Sequence, residues 1–280
     1  VVHHIAQPLQ AHGSVLHEGL LGIVGDSRSL HADPALRGAT FQVASQFNAL
    51  EMVGPQVRPE DGVTGYVHDP TQGPACAMAA GAATIYRNYL MPLHGAAGQT
   101  AQRQVDTLAG IGERLGNQGN RLWTMRNGYP MFTPQGLSQV DATLAASSAG
   151  DRDVLKAQLR IGLHWDVEVT DLEPQGHVVS QAFCSALPIA YQRHLGPQHW
   201  QRIATLILEA AYEATLLAGM INHARTGCPI VYLTRLGGGA FGNDPAWIDA
   251  AIAHALARIG PCGLQVVMVT FSAAPPTRSS

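Results

Sequence analysis

Three observations predict a three-layer α/β/α sandwich around a mostly parallel sheet. From residue 177 onward the chain alternates apolar runs of strand length with long amphipathic helices. A strand begins at 178, a helix carries Ile203, Leu206, Ile207, Ala210, Ala214, Leu217 and Ile221 as its stripe, and a strand spans 229–236. A helix from Asp244 with Ile248, Ile252, Ala255, Leu256 and Ile259 on one face, and a strand from Leu264 to Phe271, complete the series. Such crossovers place parallel strands between two helical layers. The run His177 to Tyr191 is nearly continuously apolar, the pattern of a strand buried on both faces. Finally, 280 residues with 46% hydrophobic and 13% charged side chains suffice for one sizeable core.

Taken in order, residues 1–18 read as an arm, with His3, His4, His12 and His17 at spacings that match no common metal site. Gly19–Val24 is a first strand, Asp33-Pro34 a turn, and Ala39–Ser45 a second strand. Asn48 and Glu51 lie just past its end, where ligands bind in α/β sheets or where an Asn simply closes a turn. The segment 58–74 holds Glu60, Asp61 and Asp69 among turn formers and leads into an alanine-rich helix, Ala75–Tyr89, whose lack of bulk requires a very close neighbour. Arg87 suits that helix's C-terminal dipole. An amphipathic helix is expected over Thr100–Leu115, a hairpin strand over 122–129 ending at the Asn127-Gly128 turn, a helix over 135–147, a polar loop over 147–153 and a strand over Val154–Val169. On that strand Asp166 and Glu168 share a face, which suits a sheet edge or a pair that does chemistry. Pro174-Gln175-Gly176 is a turn. Residues 19–271 form one domain without internal repeats, and 272–280 a tail.

The chemistry centres on Val231–Pro245. An apolar run stops at Gly237-Gly238-Gly239, and Asp244 and Pro245 then supply an N-cap and a first helical residue. Bare amides beside a helix N-terminus suit a phosphate or diphosphate, although a tight ligand-free connection uses the same residues. The spacing is neither G-x-G-x-x-G nor a Gly-Lys-Ser/Thr loop. The formal charge of −3, with no basic cluster, argues against nucleic acid. No run of eighteen apolar residues suggests a membrane span, and no signal-peptide pattern opens the chain. Cys76, Cys184, Cys228 and Cys262 are expected to be buried free thiols, and the protein cytoplasmic, with no metal site.

Three segments resemble the macrodomain superfamily, whose members bind ADP-ribose: Ala39–Glu51, Gln181–Tyr191 and Leu233–Asn243. More narrowly, Glu60-Asp-Gly with Tyr66, Asp69 and Thr71-Gln-Gly-Pro-Ala-Cys-Ala77, followed by Tyr86-Arg-Asn-Tyr89, is similar to the MavL-type hydrolases. These remove ADP-ribose from arginine, with ubiquitin as the substrate in effector members. The resemblance implies a mixed, mostly parallel sheet with helical insertions, and no cofactor besides ADP-ribose as ligand or product. It also implies ligand contacts at Asn48, Glu51, Gln72, Gly237, Gly238, Gly239, Ala240, Phe241, Gly242 and Asn243. Asp61 and Asp69 would face the distal ribose and stabilise its oxocarbenium-like charge, with Glu60 and Asp166 in reserve. The partner would be an ADP-ribosylated protein. The glycines leading into Gln-Glu-Glu of poly(ADP-ribose) glycohydrolases are absent, which argues against poly-ADP-ribose cleavage. An ADP-ribose-binding module without turnover, and a scaffold that binds no nucleotide, are the alternatives.

Overall fold

A computed structural model describes residues 14–17, 20–171 and 176–270. Seven strands make one sheet: β1 (Ser14–His17), β2 (Leu20–Val24), β3 (Thr40–Ala44), β8 (Gly162–Glu168), β9 (Val178–Cys184), β10 (Ile230–Leu233) and β11 (Gln265–Thr270). Their order is β1-β2-β11-β10-β3-β9-β8. The five central strands are mutually parallel, and β1 and β8 are antiparallel edges. The expected sandwich with a mixed, mostly parallel sheet is therefore present. Two short ladders lie apart from it: β4 (Pro92–Leu93) with β5 (Ala96–Ala97), and β6 (Trp123–Arg126) with β7 (Tyr129–Phe132), the latter turning at Asn127-Gly128 as expected.

Alternation along the parallel strands feeds two cores. Val231, Leu233, Val266 and Met268 face α7 (Gln201–Thr226) and α8 (Pro245–Ile259), where they meet Leu208, Ala211, Tyr212, Ile248 and Ile252. Tyr232, Val267, Phe41 and Val179 face the other way. On that second side lie α1 (Ser27–Ala32) and α2 (Gln72–Ala79), packed against each other and, through α2, against β3. Helix α7 is long and apolar enough to cross a membrane, but about two thirds of its most apolar stretch (67%) is buried in this fold. The inserted helices α4 (Ala109–Leu115), α5 (Pro134–Ala146) and α6 (Ala149–Lys156) close a third cluster. It joins Ile111, Leu137, Leu144 and Leu155 to Trp200 and Ile203 at the start of α7, so the insertion packs onto the helix that crosses the sheet.

Several elements differ from the sequence reading. Ser14–His17, assigned to the arm, form β1. Residues 1–13, Pro174, Gln175, Phe271 and the tail lie outside the described residues. The strand expected over 154–169 begins only at Gly162, because Ser148 and Asp151 form a reciprocal cap that starts α6 inside the expected polar loop. Helix 100–115 shortens to α4, since residues 99–107 are drawn onto the 46–48 turn: Gln99 Nε2 donates to the Asn48 carbonyl and Thr107 N to the Phe47 carbonyl. The alanine-rich helix breaks at Ala80. There Thr170 inserts, its amide donating to Ala79 O and its Oγ1 accepting from Gly81 N, before α3 (Gly81–Ile85) and a wide π turn (Tyr86–Leu90) resume. All four cysteines are free as expected, but only Cys76 and Cys184 are buried.

Candidate active site

The sheet itself creates the opening. From β3 the next strands lie toward β9, whereas from β10 the chain proceeds to β11 on the opposite side, so the winding reverses between β3 and β10. Ligands of open α/β sheets bind outside the carboxyl ends of strands at such a point. β3 and β10 pair only at Thr40–Val231 and Phe41–Tyr232 and then separate. Beyond the split, Gln72 stands in for the missing strand: Ala44 N donates to its Oε1 and its Nε2 donates to Gln42 O, both at 2.8 Å. Gln72 thus fixes the start of α2 at the mouth of a cleft of about 660 Å³. The approach is so close that a Cβ at Gly73 would lie 1.9 Å from Ala44 O, which is why the first turn of α2 needs glycine.

One lip of the cleft is the glycine loop. Gly237, Gly239, Ala240 and Phe241 line it, and their amides have no acceptor among the described residues. Gly238, Gly242 and Asn243, expected as ligand contacts, instead build the loop. Gly238 N donates to Arg235 O and Gly242 N to Gly239 O. Asn243 is buried, with its Nδ2 donating to Leu187 O at 2.8 Å and its amide to Gly237 O at 2.9 Å. Gly237 has φ +69°, and an added Cβ would meet Asn243 Nδ2 at 2.4 Å; at Gly239 it would meet nothing within 4 Å. Asp244 caps α8 through Ala246 N, with Pro245 at the first turn, as the sequence indicated.

The other lip is Gly65 and residues 68–74. Asp69 lines it, with Oδ1 accepting from Thr71 N (2.9 Å) and Thr71 Oγ1 (2.6 Å), while Oδ2 has no partner among the described residues. Thr71 precedes α2 without capping it through its side chain, so the amides of Gln72 and Gly73, both of which line the cleft, have no acceptor among the described residues, and Pro74 has no N–H to offer. Tyr129, Tyr191 and Phe241 close one end as an aromatic wall, ring centroids 5.3 to 5.9 Å apart. Tyr129 donates to Met52 O and Tyr191 to Val53 O. Neither tyrosine was singled out from the sequence, since only the fold brings 129, 191 and 241 together.

The expected carboxylates do not converge. Asp61 is exposed and paired with Arg58, whose guanidinium and backbone amide hold its carboxyl below the usual range. Exposed Glu60 accepts from Ala101 N. Asp166 sits on edge strand β8 in a left-handed conformation, φ +53°, and binds Arg225 of α7 at 2.5 Å. None of these three lines the cleft. Asn48 does not either. It is buried, accepting from Leu50 N and donating to Gln104, the turn-closing role.

Glu51 forms part of the cleft wall, yet its side chain is fully buried, and Oε2 accepts from Arg87 Nη2 at 2.6 Å. Its carboxyl is pushed up to about 7 by burial, against the pull of Arg87. Arg87, read from the sequence only as suiting a helix C-terminus, is buried and stacked on Phe183 at 3.9 Å. Burial, with Arg87 adding to it, pushes His164 of β8 down to about 4.

No family model and no curated protein matches the chain. Among solved structures it is similar to the poly(ADP-ribose) glycohydrolase of Deinococcus radiodurans, crystallised with ADP-ribose. The match has 13% identity and a TM-score of 0.42, and spans 98% of this chain and 85% of that one.

Proposed function

We propose that this protein is an ADP-ribosyl hydrolase that releases ADP-ribose from a modified side chain. One observation carries the reading. Two sets of residues with unpaired backbone amides, in the glycine loop and at Gln72 and Gly73 of α2, line a single cleft at the carboxyl ends of the strands, with Asp69 and an aromatic wall beside them. Amides of this kind hold a diphosphate, and the rings of Phe241 and Tyr191 offer packing for a sugar. The unpartnered Oδ2 of Asp69 is available to a ribose hydroxyl and to the positive charge that grows on the anomeric carbon as the glycosidic bond breaks. The similarity of Glu60–Ala77 and Tyr86–Tyr89 to arginine-specific hydrolases supports an arginine N-glycoside as the bond and ubiquitin as a substrate protein to try first.

The test is release of ADP-ribose from an ADP-ribosylarginine peptide and from ubiquitin modified on arginine. Asp69→Ala is expected to lower turnover about 100-fold or more with only a small loss of thermal stability, because Asp69 is only partly buried and its hydrogen bonds go to the exposed Thr71. Equal turnover by wild type and variant would remove Asp69 from the scheme. A second reading, a module that binds ADP-ribose without cutting it, draws on the dispersal of Glu60, Asp61 and Asp166 away from the cleft. Calorimetric binding of ADP-ribose with no hydrolysis of any modified peptide would favour it.

A further inference from the structure

We propose that Glu51 is the group that takes the proton from the attacking water at this site, and that Arg87 is its positioning residue. The inference rests on the hydrolase reading above and supplies the second carboxylate that Asp61, Glu60 and Asp166 do not. Three features carry it. First, Glu51 is half-used: Oε2 is bonded to Arg87, whereas Oε1, equally buried, has no hydrogen-bond partner among the described residues. Second, the shortage is clustered, for Nε and Nη1 of Arg87 and Oδ1 of Asn88 are also buried without partners. A structural ion pair normally satisfies such atoms, and their exceptions call for something to be bound. Third, Glu51 is itself among the residues that line the cleft, and its side chain packs against Gly73 there. Gly73, which lines the cleft, is so close that a Cβ on it would lie 3.1 Å from Glu51 Cγ.

The surroundings fit proton exchange near neutrality. Arg87 from the π turn faces Glu51 directly, the Tyr66 hydroxyl from the 64–68 turn accepts from its amide at 2.9 Å and also stands against its carboxyl, holding it down as Arg87 does, and Cys76 of α2 lies in the same buried shell. On the far side His164 of β8 faces Arg87 and is held neutral. Burial and Arg87 act in opposite directions on the carboxyl and leave it titrating at about 7. In the step, a water molecule gives a proton to Oε1 while its oxygen bonds to the anomeric carbon. The electron pair of the breaking C–N bond goes to the leaving nitrogen, which takes a proton from solvent at the open mouth. Glu51 then returns its proton to solvent. Asp69 stands opposite the developing charge.

The experiment is single-turnover hydrolysis of the ADP-ribosylarginine peptide between about pH 5.5 and 8.5, with ADP-ribose affinity measured in parallel. Wild-type rate is expected to rise with pH through a limb near 7. Glu51→Gln should lower the rate about 100-fold or more, with ADP-ribose affinity within about threefold of wild type. The double variant Glu51→Gln/Arg87→Gln, which leaves no lone buried charge, should fold and show the same loss. Arg87→Lys should keep the limb, and Arg87→Gln should move it to higher pH. A folded double variant with a rate within about fivefold of wild type overturns the proposal, as does a limb unmoved by Arg87→Gln. If wild type hydrolyses nothing, the hydrolase reading falls and this inference with it. If Asp69→Ala abolishes turnover and the double variant keeps it, this inference alone falls.

Discussion

The two lips of the cleft are built by opposite means. The glycine lip offers main-chain amides, carries no net charge of its own, and is set by contacts within a few residues: Gly238 to Arg235, Gly242 to Gly239, Asn243 to Gly237. The acidic lip depends on side chains that meet from far apart, Glu51 with Arg87 across 36 residues and Gln72 with β3 across about 30. A backbone site therefore tolerates changes of pH and charge, whereas a side-chain site is only as good as its buried partners.

Removing one of those partners should give the largest effect. Arg87→Gln leaves Glu51 as a buried unpaired carboxylate and should destabilise the fold by about 3–5 kcal/mol, read from urea unfolding. Neutralising Glu51 as well should restore most of that loss. An Arg87→Gln protein as stable as wild type would show that the acidic lip is not held by this pair. The corresponding change on the other lip is Gly237→Ala, expected to lose roughly 2–3 kcal/mol because the left-handed backbone and the contact with Asn243 both oppose a side chain.

A smaller effect separates the lips by pH. His164, beside Arg87, and His31, buried near α2, have folded values pushed down to about 4 from 6.5. The unfolded chain therefore binds their protons first. The stability they contribute is fully present above pH 6.5 and is lost as pH falls toward 4. Glu51, raised to about 7 from 4.5, has the opposite sign, its contribution being present below 4.5 and lost as pH rises through 7. Melting of His164→Gln should fall less steeply than wild type between those values, by roughly 1–2 kcal/mol over the range. An identical slope would remove His164 from the balance. Smallest of all in stability is Gly239→Ala, within about 0.5 kcal/mol of wild type, because its Cβ meets only open space. The methyl would project beside the unpaired amides and should weaken ADP-ribose about tenfold by calorimetry. Unchanged affinity would mean that the diphosphate lies elsewhere.

The same contrast explains how much was legible beforehand. Parallel strands, crossover helices, the Asn127-Gly128 turn and the Asp244-Pro245 helix start all follow from neighbours in sequence, and each is found in place. The tight packing of the alanine-rich helix also followed from its composition over Ala75 to Ala80, whereas Ala82 is exposed. What escaped was set by distant contacts. Thr170 splits that helix, Arg225 pairs with Asp166 on an edge strand that the sequence did allow for, and the fold, not the local pattern, buries Arg87. The reciprocal cap of Ser148 and Asp151 was local and readable, but it lay inside a polar run taken for a loop.

The amide of Gln72 has a mechanical consequence. A primary amide that mimics a strand neighbour couples the helix start to the pleat, so the cleft-facing turn inherits the stiffness of the sheet although no ladder reaches it. Glutamate at this position would set an acceptor against the Gln42 carbonyl and uncouple the two, turning a rigid wall into a hinged one.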